Sequence, residues 1–314
     1  MPDRRREECM AKCDVCFRGC ELKEGQTGFC GARVCSGGEV IAANYGRIKS
    51  LALDPIEKKP LARFRPGSWI LSVGSYGCNL RCPFCQNHEI SWSAEAFSFA
   101  ERAELVTPQE LADAAESCRS RGNIGVAFTY NEPLVGFEFV RDTARLVHER
   151  GMLNVLVSNG TVGPRVLSEI LPYIDAMNID LKGFTDHYYT DVLGGNRAMT
   201  MNFIREAVKH CHVELTTLIV PGENDSPKEM EELASWIADL EDVYQEDRED
   251  LGSHDNSGHA SSSASGSGRN IPLHISRFFP RFHMIDRQAT DVALVYHLAD
   301  VARKHLKYVY TGNC

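Results

Sequence analysis

The feature that most restricts how this 314-residue chain can fold is a repeated alternation of short apolar, β-branched runs with helical patterns. The runs are WILSVG (Trp69–Gly74), IGVAFTY (Ile124–Tyr130), LNVLVSN (Leu153–Asn159), IDAMNIDL (Ile174–Leu181), VELTTLIV (Val213–Val220) and LHISRFF (Leu273–Phe279). Between them, Thr107-Pro108-Gln109-Glu110 and Ser226-Pro227-Lys228-Glu229 each set a capping hydroxyl before a proline at the first helical position. Further helical patterns cover residues 136–150, 164–172, 200–210 and 288–305. Apolar strands that alternate with helices suit a parallel sheet buried on both faces. With right-handed crossovers this predicts an α/β domain of partial (β/α)6, TIM-like barrel form. Lys307–Tyr310 is available as a further edge strand.

Outside the alternation, residues 1–45 read as a Cys-rich metal-binding element and 46–68 as a connecting segment ending at RPGS (Arg65–Ser68). Residues 69–314 form the core, interrupted at 252–270 by a Gly/Ser-rich, low-complexity stretch that reads as a surface insertion. A net charge of −9 argues against a nucleic-acid partner. No apolar run approaches the roughly 18–20 residues that span a bilayer, and MPDRRREECMAKCD lacks the apolar stretch of a secretory signal. A cytoplasmic location is therefore expected, and there the 12 cysteines are metal ligands before they are disulfides. Cys118 and Cys211 fall in helical patterns and are expected as buried small apolar residues.

The segment GSYGCNLRCPFCQN follows the first core strand and spaces Cys78, Cys82 and Cys85 as C-x3-C-x2-C. A loop at the C-terminal end of a parallel strand is where α/β folds build active sites. Iron–sulfur clusters take thiolates, usually four, so three leave one iron open. The competing reading is a zinc site completed by a residue such as His88. Nearer the N-terminus, Cys13, Cys16, Cys20 and Cys30 follow C-x2-C-x3-C-x9-C, which suits either Zn²⁺ or an auxiliary [4Fe–4S] cluster. Cys9 and Cys35 leave other subsets of four open.

On these residues the chain resembles the radical S-adenosylmethionine enzymes, whose C-x3-C-x-(aromatic)-C signature CNLRCPFC matches with Phe84 as the aromatic. It resembles the branch that includes pyruvate formate-lyase activating enzymes. Within it the chain is most similar to radical enzymes of the AmmeMemoRadiSam system, through DPIEKKPL (Asp54–Leu61), TYNEPLVGFEF (Thr129–Phe139), SNG (Ser158–Gly160), NIDLKGF (Asn178–Phe184) and HISRFFP (His274–Pro280). The resemblance implies a [4Fe–4S] cluster on Cys78, Cys82 and Cys85 that reductively cleaves S-adenosylmethionine to a 5′-deoxyadenosyl radical. It implies Phe84 near the adenine, and Asn131 and Glu132 at the ammonium group, where Tyr130-Asn131 stands in place of the usual two glycines. Ser158, Asn159, Asp180 and Lys182 would surround the ribose and carboxylate, with His274 a further cofactor contact. Val157-Ser158 stands where activating enzymes carry a cation-binding aspartate just before Asn-Gly.

The expected partners are a one-electron donor such as flavodoxin or ferredoxin and a substrate, small molecule or protein, with no nucleic acid and no membrane. Other function classes are an activase that takes hydrogen from a glycine of a partner enzyme, a non-catalytic iron–sulfur electron carrier, and a zinc-binding interaction module.

Overall fold

The computed structural model describes residues 10–98, 104–241 and 268–314. Cys9 and most of the low-complexity stretch at 252–270 lie outside the described residues. The six expected core strands form, with one more on each side: β1 (Ser50–Pro55), β2 (Trp69–Gly74), β3 (Asn123–Phe128), β4 (Leu153–Ser158), β5 (Ala176–Asp180), β6 (His212–Ile219), β7 (Leu273–Arg277) and β8 (Val309–Gly312). They lie in sequence order across a single sheet, with β1 and β8 at its two edges. All pairings are parallel except β1 with β2, which run antiparallel with Asp54 opposite Ile70 and Ser50 opposite Gly74. The sheet is a mixed α/β arrangement dominated by parallel strands, as expected. The run near Lys307 pairs slightly later than its apolar residues suggested, as β8.

Helices α1 (Pro108–Ser117), α2 (Phe137–Glu149), α3 (Pro164–Ile170), α4 (Arg197–Ala207), α5 (Pro227–Ala238) and α6 (Val292–Ala302) connect the strands. The caps are those the sequence announced. Thr107 Oγ1 accepts from the Glu110 amide while the Glu110 carboxylate accepts from the Thr107 amide, a complete capping box. Ser226 caps α5 through the Glu229 amide. One face of the sheet (Val126, Leu156, Met177, Leu215, Ile275) packs against Leu111, Val140, Leu167, Ile204, Leu233 and Leu298 of the helices. Each such side chain contributes roughly 1.5–3 kcal/mol on burial. Cys118 and Cys211 are buried in this core as small apolar residues.

Alternation along the strands turns Ile70, Ala127, Val155 and Ala176 to the opposite face, where Ile56, Leu61 and Phe64 cover them. This corrects the reading of residues 46–68 as a connector. Part of that segment is the edge strand β1, and the part after it packs on the sheet's second face. Its polar backbone is satisfied from the sheet: Asn178 Nδ2 donates to the Pro60 carbonyl at 2.9 Å, and Glu214 accepts from the amides of Ala62 and Arg63. The sequence hid this because β1, SLALDP, is short and carries an aspartate, and 56–68 holds neither a strand nor a helix period.

The N-terminal residues form two small antiparallel hairpins, Ala11–Lys12 with Glu21–Leu22 and Arg33–Ser36 with Glu39–Ala42. They rest against the core through the Cys16–Val162 bridge and the Arg165–Asp14 ion pair at 2.8 Å. Among the described residues, no helix is long and apolar enough to cross a membrane.

Candidate active site

The loop after β2 makes a tight turn that only glycine allows. Gly77 has φ +96°, and a Cβ there would stand 2.6 Å from Ala32 Cβ and 2.8 Å from the Cys30 carbonyl. Its carbonyl accepts from Asn131 Nδ2 and from the Glu132 amide, so the loop is tied to the turn that follows β3. Asn79 Nδ2 donates to the Thr161 carbonyl at 3.1 Å, tying it also to the turn after β4. Cys78, Cys82 and Cys85 thereby line one cavity of about 480 Å³ at the C-terminal ends of the strands. Phe84, Asn131, Glu132, Ser158, Asn159, Asp180 and Lys182 line the same cavity, so every residue named for the site at the start of the core lies on its wall except His274.

Among the described residues no three His, Cys, Asp or Glu side chains converge as a preformed metal cage. The fit of the loop to an iron–sulfur cluster therefore rests on its donors. Burial raises all three thiols, Cys82 to about 11, because the Lys182 charge, which acts on Cys82 and Cys85, falls short of what the desolvation of three thiolates requires. A cationic metal group would supply it. Hydrogen-bond donors already point at sulfur: the Leu80 amide reaches Cys78 Sγ at 3.4 Å, and Asn87 and Ser91 serve Cys85. The buried Tyr188 hydroxyl, with no hydrogen-bond partner among the described residues, lines the cavity as well. The residues present suit the group. His88, the alternative fourth ligand for zinc, instead stacks on Phe282 with ring centroids 4.1 Å apart.

Glu132 is 2% exposed and links three strand ends. Its Oε1 accepts from Ser158 Oγ at 2.9 Å and from the Leu134 amide, and its Oε2 accepts from the Asn159 amide at 2.8 Å. Burial pushes its carboxyl up to about 7 despite these bonds. Ser158 and Asn159 are thus both partners of Glu132 and wall residues. Asn159 donates further to Asn79 and accepts from Thr161, which fixes it beside the thiol loop. The Asp180–Lys182 pair closes the opposite wall at 2.9 Å. Burial alone would lower the Lys182 ammonium, but Asp180 and the nearby Cys82 outweigh it and hold the group charged.

His274 is the exception. Its Nε2 meets Glu214 at 2.6 Å and its ring stacks on Tyr310, away from the cavity wall. Glu214 also pairs with His212 at 2.9 Å and is fully buried. Burial raises its carboxyl, but the bonds from His212 and His274 outweigh that and bring it down to about 2. His274, expected as a cofactor contact, is thus held off this wall, because Glu214 on the neighbouring strand claims the imidazole. Arg277 lines the cavity, as do Tyr130, Tyr188 and Thr216. Tyr130 and Arg277 fall within TYNEPLVGFEF and HISRFFP, whereas no motif pointed to Tyr188, in the turn at Tyr188–Val192, or to Thr216.

The N-terminal cysteines lie against this loop. The Cys78 amide donates to the Cys30 carbonyl at 3.1 Å, and Arg18 feels the charges of Cys16, Cys20 and Cys78 together. Cys16 and Cys30 each interact electrostatically with Cys13, Cys30 also with Cys20, and burial raises both, Cys16 to about 11. Cys35 is paired across its hairpin with Val40, and its thiol faces Glu24.

Comparison with known proteins agrees with this geometry. Residues 72–237 match the model of the Radical SAM superfamily. An uncharacterized protein of Methanocaldococcus jannaschii is 37% identical over 306 residues, covering 96% of this chain and 81% of its own. Pyruvate formate-lyase 1-activating enzyme of Escherichia coli (strain K12) is 28% identical over 173 residues, 53% of this chain and 68% of that enzyme. Among solved structures, Streptococcus suis SuiB bound to S-adenosylmethionine shares the fold with a TM-score of 0.53 at 10% identity, over 76% of this chain and 48% of SuiB.

Proposed function

The chain belongs to the radical SAM superfamily and is an enzyme of that type, and on this premise we propose that its cavity binds S-adenosylmethionine beside a [4Fe–4S] cluster held by Cys78, Cys82 and Cys85. When bound there, such a cluster would supply the one electron that cleaves the sulfonium to methionine and a 5′-deoxyadenosyl radical able to abstract hydrogen from the substrate. The observation that carries the reading is the meeting of three thiols with Glu132, Asp180 and Lys182 around one cavity at the C-terminal strand ends. Lys182 offers a charge for a carboxylate and Glu132 one for an ammonium group. Phe84, 8% exposed and edge-on to Phe278, offers an apolar wall for a base.

Anaerobic reconstitution with iron and sulfide, followed by S-adenosylmethionine and dithionite, tests it. The expected product is 5′-deoxyadenosine. Product no greater than that of a Cys82→Ala control overturns the reading.

The substrate belongs to the system after which the similar radical enzymes are named. A second reading, hydrogen abstraction from a glycine of a partner enzyme, is favoured by the likeness to the Escherichia coli activating enzyme across half of the chain. Pyruvate formate-lyase serves as the probe: an organic radical signal on it supports this reading. No signal while 5′-deoxyadenosine forms removes that enzyme as the substrate.

The proposal extends to Cys13, Cys16, Cys20 and Cys30 as ligands of a second group, Zn²⁺ or iron–sulfur, in an N-terminal element over residues 1–45. Its support is the electrostatic interaction of Cys16 and Cys30 with each other and with Cys13, and of Cys30 with Cys20. Iron and zinc analysis of the purified chain separates the two metals. A one-electron donor of the flavodoxin or ferredoxin kind would reduce the catalytic cluster.

A further inference from the structure

Tyr130 holds a backbone conformation that glycine prefers, with φ +74°. A tyrosine persists there only where its surroundings over-determine it. They do so on both sides. On the cavity side the Tyr130 carbonyl accepts from Asn87 Nδ2 at 2.7 Å, two residues beyond Cys85, and the next peptide opens the Asn131–Glu132 turn. On the other side its ring passes Gly74, where a Cβ would come within 2.8 Å of Tyr130 Cδ2, so Gly74 is what leaves room for it.

The ring ends on charges that the proposed chemistry does not use. The Tyr130 hydroxyl donates to Asp54 Oδ2 at 2.6 Å. Lys59, 2% exposed, donates to the same oxygen at 2.9 Å and lies 4.7 Å over the tyrosine ring. Lys58 serves the other Asp54 oxygen at 3.1 Å. Asp54, Lys58 and Lys59 are the charged residues of DPIEKKPL besides Glu57, a motif that the cavity itself leaves unexplained.

We infer that Asp54 and Lys59 are positioning residues that hold Tyr130 in its left-handed conformation and thereby fix the Asn131–Glu132 turn and, through Asn87, the thiol loop. The clamp replaces by side-chain bonding the freedom that a glycine pair would give the backbone. It deepens the S-adenosylmethionine reading and depends on it only for its binding measurement. A glycine at position 130 needs no clamp, since it adopts positive φ freely. The effect of Asp54 on the site therefore passes through the side chain at 130.

A double-mutant cycle on the reconstituted full-length chain tests this, read by S-adenosylmethionine affinity and by amide exchange of the peptide spanning residues 129–135. Tyr130→Phe keeps the Asp54–Lys59 pair and removes only the hydroxyl. It should weaken binding about tenfold, as loss of one hydrogen bond to a charged group does, and speed exchange in that peptide. Asp54→Asn should weaken binding about tenfold in the natural background, yet by less than about twofold in a Tyr130→Gly background. Tyr130→Gly should bind more tightly than Tyr130→Phe, although it removes more packing. Equal effects of Asp54→Asn in both backgrounds, or a Tyr130→Phe chain with unchanged affinity and exchange, overturn the clamp. A natural chain that binds no S-adenosylmethionine overturns the functional reading instead, and the exchange measurement still decides the clamp.

Discussion

The sheet carries two buried polar regions that obey opposite rules. Around Glu214 every charge is answered from within: His212 and His274 flank the carboxylate, and the amides of Ala62 and Arg63 complete it. At the C-terminal strand ends burial raises the three thiols although Lys182 partly offsets it at Cys82 and Cys85, Glu132 is pushed up to about 7 despite three hydrogen bonds, and the Tyr188 hydroxyl has no partner among the described residues. Saturated polar groups hold a fold together, whereas unsaturated ones around a cavity await something to bind. The contrast separates structural from chemical polarity without reference to any relative.

The sharpest way to break that comparison is Cys82→Ala. It should abolish 5′-deoxyadenosine formation, measured chromatographically, while the melting temperature changes little, because a thiol without its metal contributes only modest packing. Glu214→Ala should do the reverse. Removing the carboxylate leaves the buried partners of four hydrogen bonds without their acceptor, at about 1–3 kcal/mol each for those that stay dry, and for a chain of this size calorimetry should show a melting point roughly 10 °C lower.

The same carboxylate predicts a pH dependence. Its folded value of about 2 lies below the ordinary 4.5, so it contributes stability that is fully present above pH 4.5 and lost as the pH falls toward 2. Denaturant titrations of Glu214→Gln over that window should show a flatter acid limb than the natural chain.

Smaller effects sharpen the contrast. Lys182→Met removes one charged partner from the cavity wall and should weaken S-adenosylmethionine binding about tenfold or somewhat more by calorimetry, with k of radical formation at saturation less affected. Cys16→Ser should lower the content of the second metal while leaving the thiol loop loaded, which metal analysis reads directly. At the bottom of the scale, the exposed Lys228–Glu232 pair, 3.8 Å apart, should contribute under about 0.5 kcal/mol, and Lys228→Ala is the control that neither region notices.

Much of this was legible from local chemistry. Strand runs, prolines after capping hydroxyls and the C-x3-C-x2-C spacing each act within a few residues, so the six core strands, the capped starts of α1 and α5, and the thiol loop follow from the chain read in order. Ser158 and Asn159 were likewise visible as a strand end beside the cavity. His274 was not, because a histidine on a strand can face a cavity or a carboxylate, and only Glu214, 60 residues away in sequence, makes the choice. Residues 46–68 misled for a related reason: an edge strand needs only one neighbour and shows little period, so β1 became visible only once β2 was there to pair with it.

The sequence by itself determined the alternating architecture and the set of thiol donors, since both are written in spacing and side-chain type. Tertiary structure decided which charges are neutralised and which are left to a ligand. That outcome depends on distance between strands: Asp54 reaches Tyr130 across 76 residues, and Cys30 reaches Cys78 across 48, through contacts that no local pattern encodes. Burial then converts those contacts into chemistry, because the desolvation of a charge is answered only by a group close enough to touch it.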